Sequence, residues 1–191
     1  MLNAFLMVVV VCIFAGIVWN SDAFNLTCVI SKKDGNTYCV RDVGKVSESA
    51  DLLADVTQRM RHLVRHMGEE MPNDARVKRL VDNFNPQRIV ENLPNSEYTA
   101  YSENKGEKIA FCLRKDKHKL KLIDINTLTF VALHELSHLM TTSIGHGSDF
   151  WNNFKFILKH AVAIGVYRSV DYGKTPEKYC GMEIDSNPLF K

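Results

Sequence analysis

The feature that most constrains the fold of this chain is the segment His134-Glu135-Leu136-Ser137-His138. On an α-helix, a spacing of four residues puts both imidazoles on one face, about one turn apart. Two imidazole nitrogens can then bind one zinc ion, while the glutamate beside the first histidine accepts a proton from an attacking water. The sequence therefore calls for a helix with one face open to a metal.

Apolar residues around this segment recur at helical spacing, which predicts a core helix from about residue 126 to residue 143. Two histidines and a glutamate buried on such a helix cost free energy unless they are paired or bind a metal. We therefore interpret the segment as a catalytic zinc site, with His134 and His138 as ligands and Glu135 as general base. The apolar residues are Leu128, Val131, Ala132, Leu136 and Leu139.

A catalytic zinc ion keeps three protein ligands and one open position, so a third ligand is required. His146 is the strongest candidate, because Gly145 before it allows the chain to turn sharply after the helix. Asp149 and Glu183 are the alternatives. The sequence thus predicts one catalytic zinc ion held by His134, His138 and His146.

Other histidines and tyrosines are weaker candidates for the same site. His62 and His66 are also four residues apart on a predicted helix, but arginines crowd that face and disfavour a cation, so we expect a solvated basic face. Tyr172 and Tyr179 could donate a hydrogen bond to the oxyanion of a reacting carbonyl, although packing roles are the alternative for both.

The first twenty residues form a different kind of segment. From Leu2 to Trp19 the chain has no charged residue, and this length predicts a transmembrane helix. A cleaved signal peptide is the alternative, but no Lys or Arg precedes the apolar run. We expect residues 1–20 to be a single-pass membrane anchor and residues 21–191 to form the metallopeptidase domain.

The side of the membrane stays open at this point. Lys32 and Lys33 follow the apolar run and favour the cytosolic face. Asn25-Leu26-Thr27 is a glycosylation sequon, which would matter on the lumenal side, but it lies very close to the predicted membrane. The positive charges therefore favour a domain on the cytosolic face of the membrane.

The five cysteines leave the redox state open, but a reduced protein is the simpler interpretation. If Asp34-Gly35 forms a two-residue hairpin turn, Cys39 faces Ile30 and Cys28 is only its diagonal neighbour, too far for a disulfide. Cys112 and Cys180 are far apart in sequence. We expect a reducing compartment.

The remaining pattern predicts an α+β domain with a small antiparallel or mixed sheet. We expect a hairpin over residues 26–42, helices over 47–68, after 73–74, over 126–143 and from 148, strands over 98–102 and 108–114, and an irregular tail from residue 171. The formal net charge of +2 and the scattered basic residues give no clear nucleic-acid surface.

Residues 98–151 resemble the WLM-type zinc peptidases, which are related to the SprT-like proteases. The whole chain is similar to small membrane-anchored proteins of large DNA viruses that are regarded as metallopeptidases. The resemblance implies a zincin-like fold, with a small sheet before the active-site helix. The matching segments are Glu103-Asn104-Lys105-Gly106, Ile109 to Arg114, Phe130 to His138, Gly145-His146 and Phe150-Trp151.

The resemblance also implies His134, His138 and His146 as zinc ligands and Glu135 as base. One departure concerns the third ligand. In typical WLM sequences the third histidine follows the second after a shorter gap, usually behind Gly-Pro, whereas here eight positions separate His138 from His146. The residues between them could extend the helix before the turn.

We therefore expect a membrane-held zinc metallopeptidase that cleaves a protein or peptide substrate. The alternatives are a zinc hydrolase of a non-peptide amide or ester, and a membrane-anchored structural or interaction protein with an inert zinc site. Glu135 argues against the inert site, which needs no base and favours four protein ligands. The sequence leaves the oligomeric state unknown.

Overall fold

The computed structural model of the chain describes residues 6–7, 9–13, 16 and 26–190. Helices and small sheets occur in separate runs, so the predicted α+β class is confirmed. The helices are α1 (Val46–Glu70), α2 (Ala75–Asn83), α3 (Ile125–Met140) and α4 (Ser148–Ala163), and a 3-10 turn spans Pro188–Phe190. The strands are β1 (Leu26–Ile30), β2 (Thr37–Arg41), β3 (Ile89–Glu91), β4 (Ala100–Glu103), β5 (Lys108–Phe111), β6 (Glu177–Tyr179) and β7 (Met182–Ile184).

The central sheet has the order β3-β5-β4 and is mixed, because β3 pairs parallel with β5 and β4 pairs antiparallel with it. Two antiparallel hairpins, β1–β2 and β6–β7, accompany it. Helix α3 lies in the middle of the domain and contacts α1, α2, α4 and β4. Its apolar residues after Ile125 are buried, and this packing leaves one face of the helix toward a cleft.

The predicted anchor over residues 1–20 lies largely outside the described residues. Its described part, residues 6–7, 9–13 and 16, is helical and exposed. A single span needs about 20 apolar residues in one helix, and no helix within the described part of the chain is long and apolar enough to cross a bilayer. The predicted single-pass membrane localisation is wrong on this finding, and the domain boundary at residue 20 stays a prediction.

A buried cluster of charges joins the first hairpin to the central sheet. The carboxylate of Glu91 lies 3.4 Å from the guanidinium nitrogens Nε of both Arg41 and Arg114. The backbone N–H of Arg41 donates to the same carboxylate at 2.8 Å. Because the three side chains are almost wholly buried, each charge loses its hydration and is stabilised by the opposite charges beside it.

The expectation of reduced cysteines is wrong, because the structure contains two disulfides, Cys28–Cys39 and Cys112–Cys180. The first hairpin turns through residues 31–36, where Asp34 accepts hydrogen bonds from the Asn36 backbone and the Tyr38 hydroxyl. This longer turn shifts the register and sets Cys28 directly opposite Cys39. The predicted two-residue turn had put them on a diagonal.

The predicted irregular tail is wrong for residues 177–184, which form the hairpin β6–β7. Its two-residue turn is Cys180-Gly181, and both residues have positive φ, as a type I′ turn requires. The N–H groups of Cys180 and Gly181 donate to the carbonyls of Arg114 and Lys115. The turn and the disulfide to Cys112 thus fasten this hairpin to the end of β5.

We predict that the Cys112–Cys180 bond stabilises the domain substantially. The bond closes a loop with a sequence separation of 68 residues, and the chain-entropy argument gives a loss of about 4 kcal/mol on removal. Cys112→Ser with Cys180→Ser should lower the free energy of unfolding, measured by urea denaturation of oxidised protein, by that amount. An unchanged midpoint would mean that the native protein does not contain this bond.

Candidate metal centre

The side of α3 that carries His134 and His138 is exposed to the cleft, while the start of the helix is capped and its other sides are buried. The Asp124 carboxylate accepts hydrogen bonds from the N–H groups of Asn126 and Thr127, which satisfies the first turn. The helix then buries nearly every side chain except those of His134 and His138, which are half-buried. The predicted helix ends at Met140 rather than at residue 143, so the intervening residues do not extend it.

Three imidazoles converge at this face. The rings of His134 and His138 have centroids 5.1 Å apart, and His146 approaches from the loop after α3. Its Nε2 atom lies 3.0 Å from Nε2 of His134. One potential ligand atom from each histidine lies within 4.8 Å of the others, and among the described residues this is the group that could hold a metal ion.

Phe150, near the start of α4, forms the floor under the three imidazoles. Its ring centroid lies 4.8 Å from that of His134, 4.4 Å from that of His138 and 4.6 Å from that of His146. The Phe150 side chain is fully buried. It restricts the orientation of all three rings and excludes water from one side of the centre.

The donor set fits a zinc ion. Tetrahedral coordination with bonds of 2.0–2.1 Å separates two ligand nitrogens by roughly 3.3 Å, close to the His134–His146 approach. Burial, assisted by the neighbouring histidines, lowers the pKa of His134 to about 3. Burial, His146 and Lys105 lower the pKa of His138 to about 4. Both rings are therefore neutral near pH 7, which is the form that binds a metal.

Glu135 follows the first histidine on α3 and is 4% exposed. Burial raises the pKa of its carboxyl to about 8. It lines the same cleft as His134 and His146. A carboxylate with a proton affinity near neutrality is suited to take up and release a proton during a reaction.

The loop after α3 brings the third histidine back. Gly145 has φ of 84°, a left-handed conformation that glycine adopts without strain and that reverses the chain just before His146. Ser143 donates a hydrogen bond of 2.5 Å to the Asp149 carboxylate on the first turn of α4. The seven residues between His138 and His146 therefore form the end of α3 and an ordered turn.

Lys105 fastens this loop to the sheet. Its ammonium donates to the carbonyl oxygens of His138 at 3.4 Å, Thr141 at 2.8 Å and Ser143 at 2.7 Å. These carbonyls lie at the end of α3 and just beyond it, where a cation also interacts favourably with the helix dipole. Lys105 thus holds the chain between the second and third histidines.

A cleft of about 450 Å³ opens beside the three imidazoles. Residues 97–100, α3, α4 and residues 182–186 border it. Trp151 on α4 is 42% exposed and lines this cleft. The remaining lining includes Phe130, Val131, Phe154 and Tyr179.

The other residues considered from the sequence lie outside the histidine group. The Asp149 carboxylate accepts a hydrogen bond from the Ser143 hydroxyl, and Glu183 lies at the cleft border. The Tyr179 hydroxyl donates to the carbonyl of Thr99 at 3.3 Å, and Tyr172 packs against Phe130 with ring centroids 4.9 Å apart. Neither tyrosine directs a hydroxyl to the imidazoles. His62 is exposed on α1, away from the centre.

Two parts of the site were missed from the sequence. Lys105 lies in a segment that carried the family resemblance, but no role was assigned to it; the turn residues Asn104, Lys105 and Gly106 around it were the available signal. The hairpin that places residues 182–186 at the cleft border was not predicted, although Glu183 was a candidate, because this hairpin depends on the disulfide to Cys112.

An α+β domain with three converging imidazoles and a neighbouring buried carboxylate is the arrangement of a metallopeptidase-like protein. The family model described as "WLM domain" matches residues 41–179, and the chain belongs to this family. The family is metallopeptidase-like and in general zinc-dependent. The predicted resemblance is therefore confirmed.

Similar proteins are found in large DNA viruses. An uncharacterised protein of Acanthamoeba polyphaga mimivirus is 31% identical over 157 residues, which cover 80% of this chain and 79% of the viral protein. One from invertebrate iridescent virus 3 is 31% identical over 128 residues, covering 66% of this chain and 76% of that protein. The crystal structure of Wss1 from Saccharomyces cerevisiae has a similar fold, with a TM-score of 0.50 and 18% identity over 66% of this chain and 87% of that one.

We predict that Lys105 maintains metal affinity by holding the loop of the third histidine. Lys105→Met keeps the aliphatic stem but removes the three hydrogen bonds, so zinc affinity should fall about tenfold, as for other residues that support metal ligands. Chelator competition measures this. The matched control is Lys108→Met, since Lys108 approaches Glu103 at 4.0 Å and the Tyr101 ring at 5.6 Å but contacts none of the three histidines or their loop. Equal affinities for the two variants would contradict this role.

The raised pKa of Glu135 predicts a pH-dependent stability in metal-free protein. The folded pKa of about 8 exceeds the ordinary value of 4.5, so the stabilisation by the protonated carboxyl is complete below pH 4.5 and is lost as pH rises toward 8. Glu135→Gln should therefore gain stability relative to the parent, by on the order of 3 kcal/mol at pH 8.5 and far less at pH 5.

Thermal unfolding with a chelator at both pH values tests this expectation. Histidine titration affects both proteins alike and cancels in the comparison. A difference between the variants that does not grow with pH would show that the Glu135 carboxyl is not buried as described.

Proposed function

We propose that this protein is a zinc-dependent peptidase that hydrolyses peptide bonds of a polypeptide substrate. In this proposal His134, His138 and His146 bind one zinc ion, and Glu135 is the general base. The observation that carries it is the convergence of three imidazoles beside a buried carboxylate at the edge of an open cleft. Membership of the WLM family supports the same reaction class.

The chemistry divides between the metal and the chain. When bound, zinc acts as a Lewis acid that polarises the scissile carbonyl and lowers the pKa of water. Glu135 accepts the proton of the attacking water and then delivers it to the leaving amide nitrogen. Phe150 and the loop at Gly145 keep the imidazoles in place, so the base and the ligands hold a constant geometry.

The sheet offers a way to position the substrate. Strand β4 is at one edge of the order β3-β5-β4, and its first residue, Ala100, lines the cleft. An extended peptide can add to such an edge through main-chain hydrogen bonds. This would place a peptide bond beside His134 and Glu135, which favours a polypeptide over a small ester or amide as substrate.

The base also favours an enzyme over an inert metal site. A structural zinc ion takes four protein ligands and needs no general base. Here the histidine group has three members, and Glu135 is buried next to it at a free-energy cost. The proposal accounts for this cost by a catalytic role.

We predict that the full chain binds about one zinc ion and cleaves an unfolded protein. Glu135→Gln should retain zinc and lose activity by at least about 100-fold, because only proton transfer is removed. His146→Ala should lose zinc, whereas the loop variant His118→Ala should retain both zinc and activity. Metal content and cleavage of a generic unfolded protein measure these outcomes. Equal cleavage by Glu135→Gln and the parent would rule out the assigned base.

A further inference from the structure

Three carboxylates border the cleft beyond the base. Glu97 lies just before β4, Glu183 lies on β7, and Asp185 follows β7. All three side chains belong to exposed residues. We name Glu97, Glu183 and Asp185 the acidic rim. The residues that line the cleft include no lysine and no arginine.

No ion pair within the described residues neutralises the acidic rim. Lys178 is the cross-strand register partner of Glu183, yet the two do not form an ion pair. The chain as a whole has a formal net charge of +2. The border of the cleft therefore carries three carboxylates without an ion-pair partner among the described residues, and low-dielectric walls strengthen the field of such charges.

The acidic rim is held in place rather than carried on a free tail. Its two downstream members lie on or just after the hairpin that Cys180 joins to Cys112. The Thr99 hydroxyl contacts the Met182 sulfur at 3.4 Å, and the Tyr179 hydroxyl donates to the Thr99 carbonyl. These contacts link the hairpin to the segment that carries Glu97.

Aromatic and apolar surface lies next to this charge. Phe130, Val131 and Phe154 line the cleft, and the Trp151 indole is 42% exposed there. An exposed indole face attracts a cation through its π-system, and the aliphatic stem of a lysine or arginine can pack on apolar surface while its charged end reaches a carboxylate. Phosphate groups would be repelled by the same carboxylates.

We propose that the cleft selects polypeptides with a lysine or arginine close to the bond that lies over His134 and Glu135, and that the acidic rim recognises this cation. The inference rests on the proposed function, since it names the substrate class of that site. It goes further by assigning a specificity role to Glu97, Glu183 and Asp185.

Binding tests the proposal without requiring turnover. The probe is a set of fluorescent peptides that are identical except at one scanned position, which holds lysine, methionine or glutamate. Zinc-loaded full chain carrying Glu135→Gln should bind the best lysine peptide about tenfold more tightly than its methionine counterpart, and the glutamate peptide most weakly. Raising the salt concentration should reduce the preference.

The variant Glu97→Gln with Glu183→Gln and Asp185→Asn removes the charge with little change of shape and should abolish the preference for lysine. A matched control replaces three exposed acids outside the cleft, Asp42→Asn with Glu69→Gln and Glu70→Gln, and should keep the preference. Equal binding of lysine and methionine peptides at every position, or a preference that survives in the rim variant, would overturn the inference.

The parent protein is then assayed for cleavage of the same peptides. Tight, rim-dependent binding of the lysine peptide without any cleavage would contradict the proposed peptidase while leaving the recognition role intact. Cleavage without a lysine preference would support the proposed peptidase and contradict the recognition role of the acidic rim. The two proposals can thus fail separately.

Discussion

The packing of α3 is the constraint on which the rest of the structure depends. Helices α1, α2 and α4 and strand β4 cover the helix, so nearly every side chain on it must be apolar or satisfied internally. Two histidines and a glutamate violate this pattern at a substantial free-energy cost. The cost is limited because the imidazoles face a cleft and remain neutral. Residues that break a local rule in an otherwise consistent helix mark a functional site.

The second determinant is the turn that returns the chain to α3. Backbone carbonyls at a helix end need partners, and here a lysine from the sheet supplies them. The same hydrogen bonds that complete the end of α3 therefore also set the position of His146. The hydrogen bonds of Lys105 thus stabilise the end of the helix and fix the geometry of the candidate metal centre at the same time. This coupling lets an unusually long gap between histidines still close on one point.

Local patterns predicted the helices, because such signals are periodic and close in sequence, and similar short-range signals led to the three histidines that lie together in the structure. The apolar spacing in α3 and the glycine before His146 are examples. The errors concern features set by distant contacts. The register of the first hairpin depends on the Asp34 turn network, and the hairpin β6–β7 depends on Cys112, which is 68 residues away from its partner. The predicted membrane span is a different kind of error. It rested on an apolar run near the N-terminus, and no helix in the described part of the chain is long and apolar enough to cross a bilayer.

We propose that His134, His138 and His146 form one zinc centre with an open position. A crystal structure of zinc-loaded protein, with anomalous diffraction collected at the zinc edge, tests it most directly. We expect one zinc ion bound by a nitrogen of each of these three histidines and by one ligand that is not from the protein. Four protein ligands, or zinc bound elsewhere with His146 turned away, would contradict it.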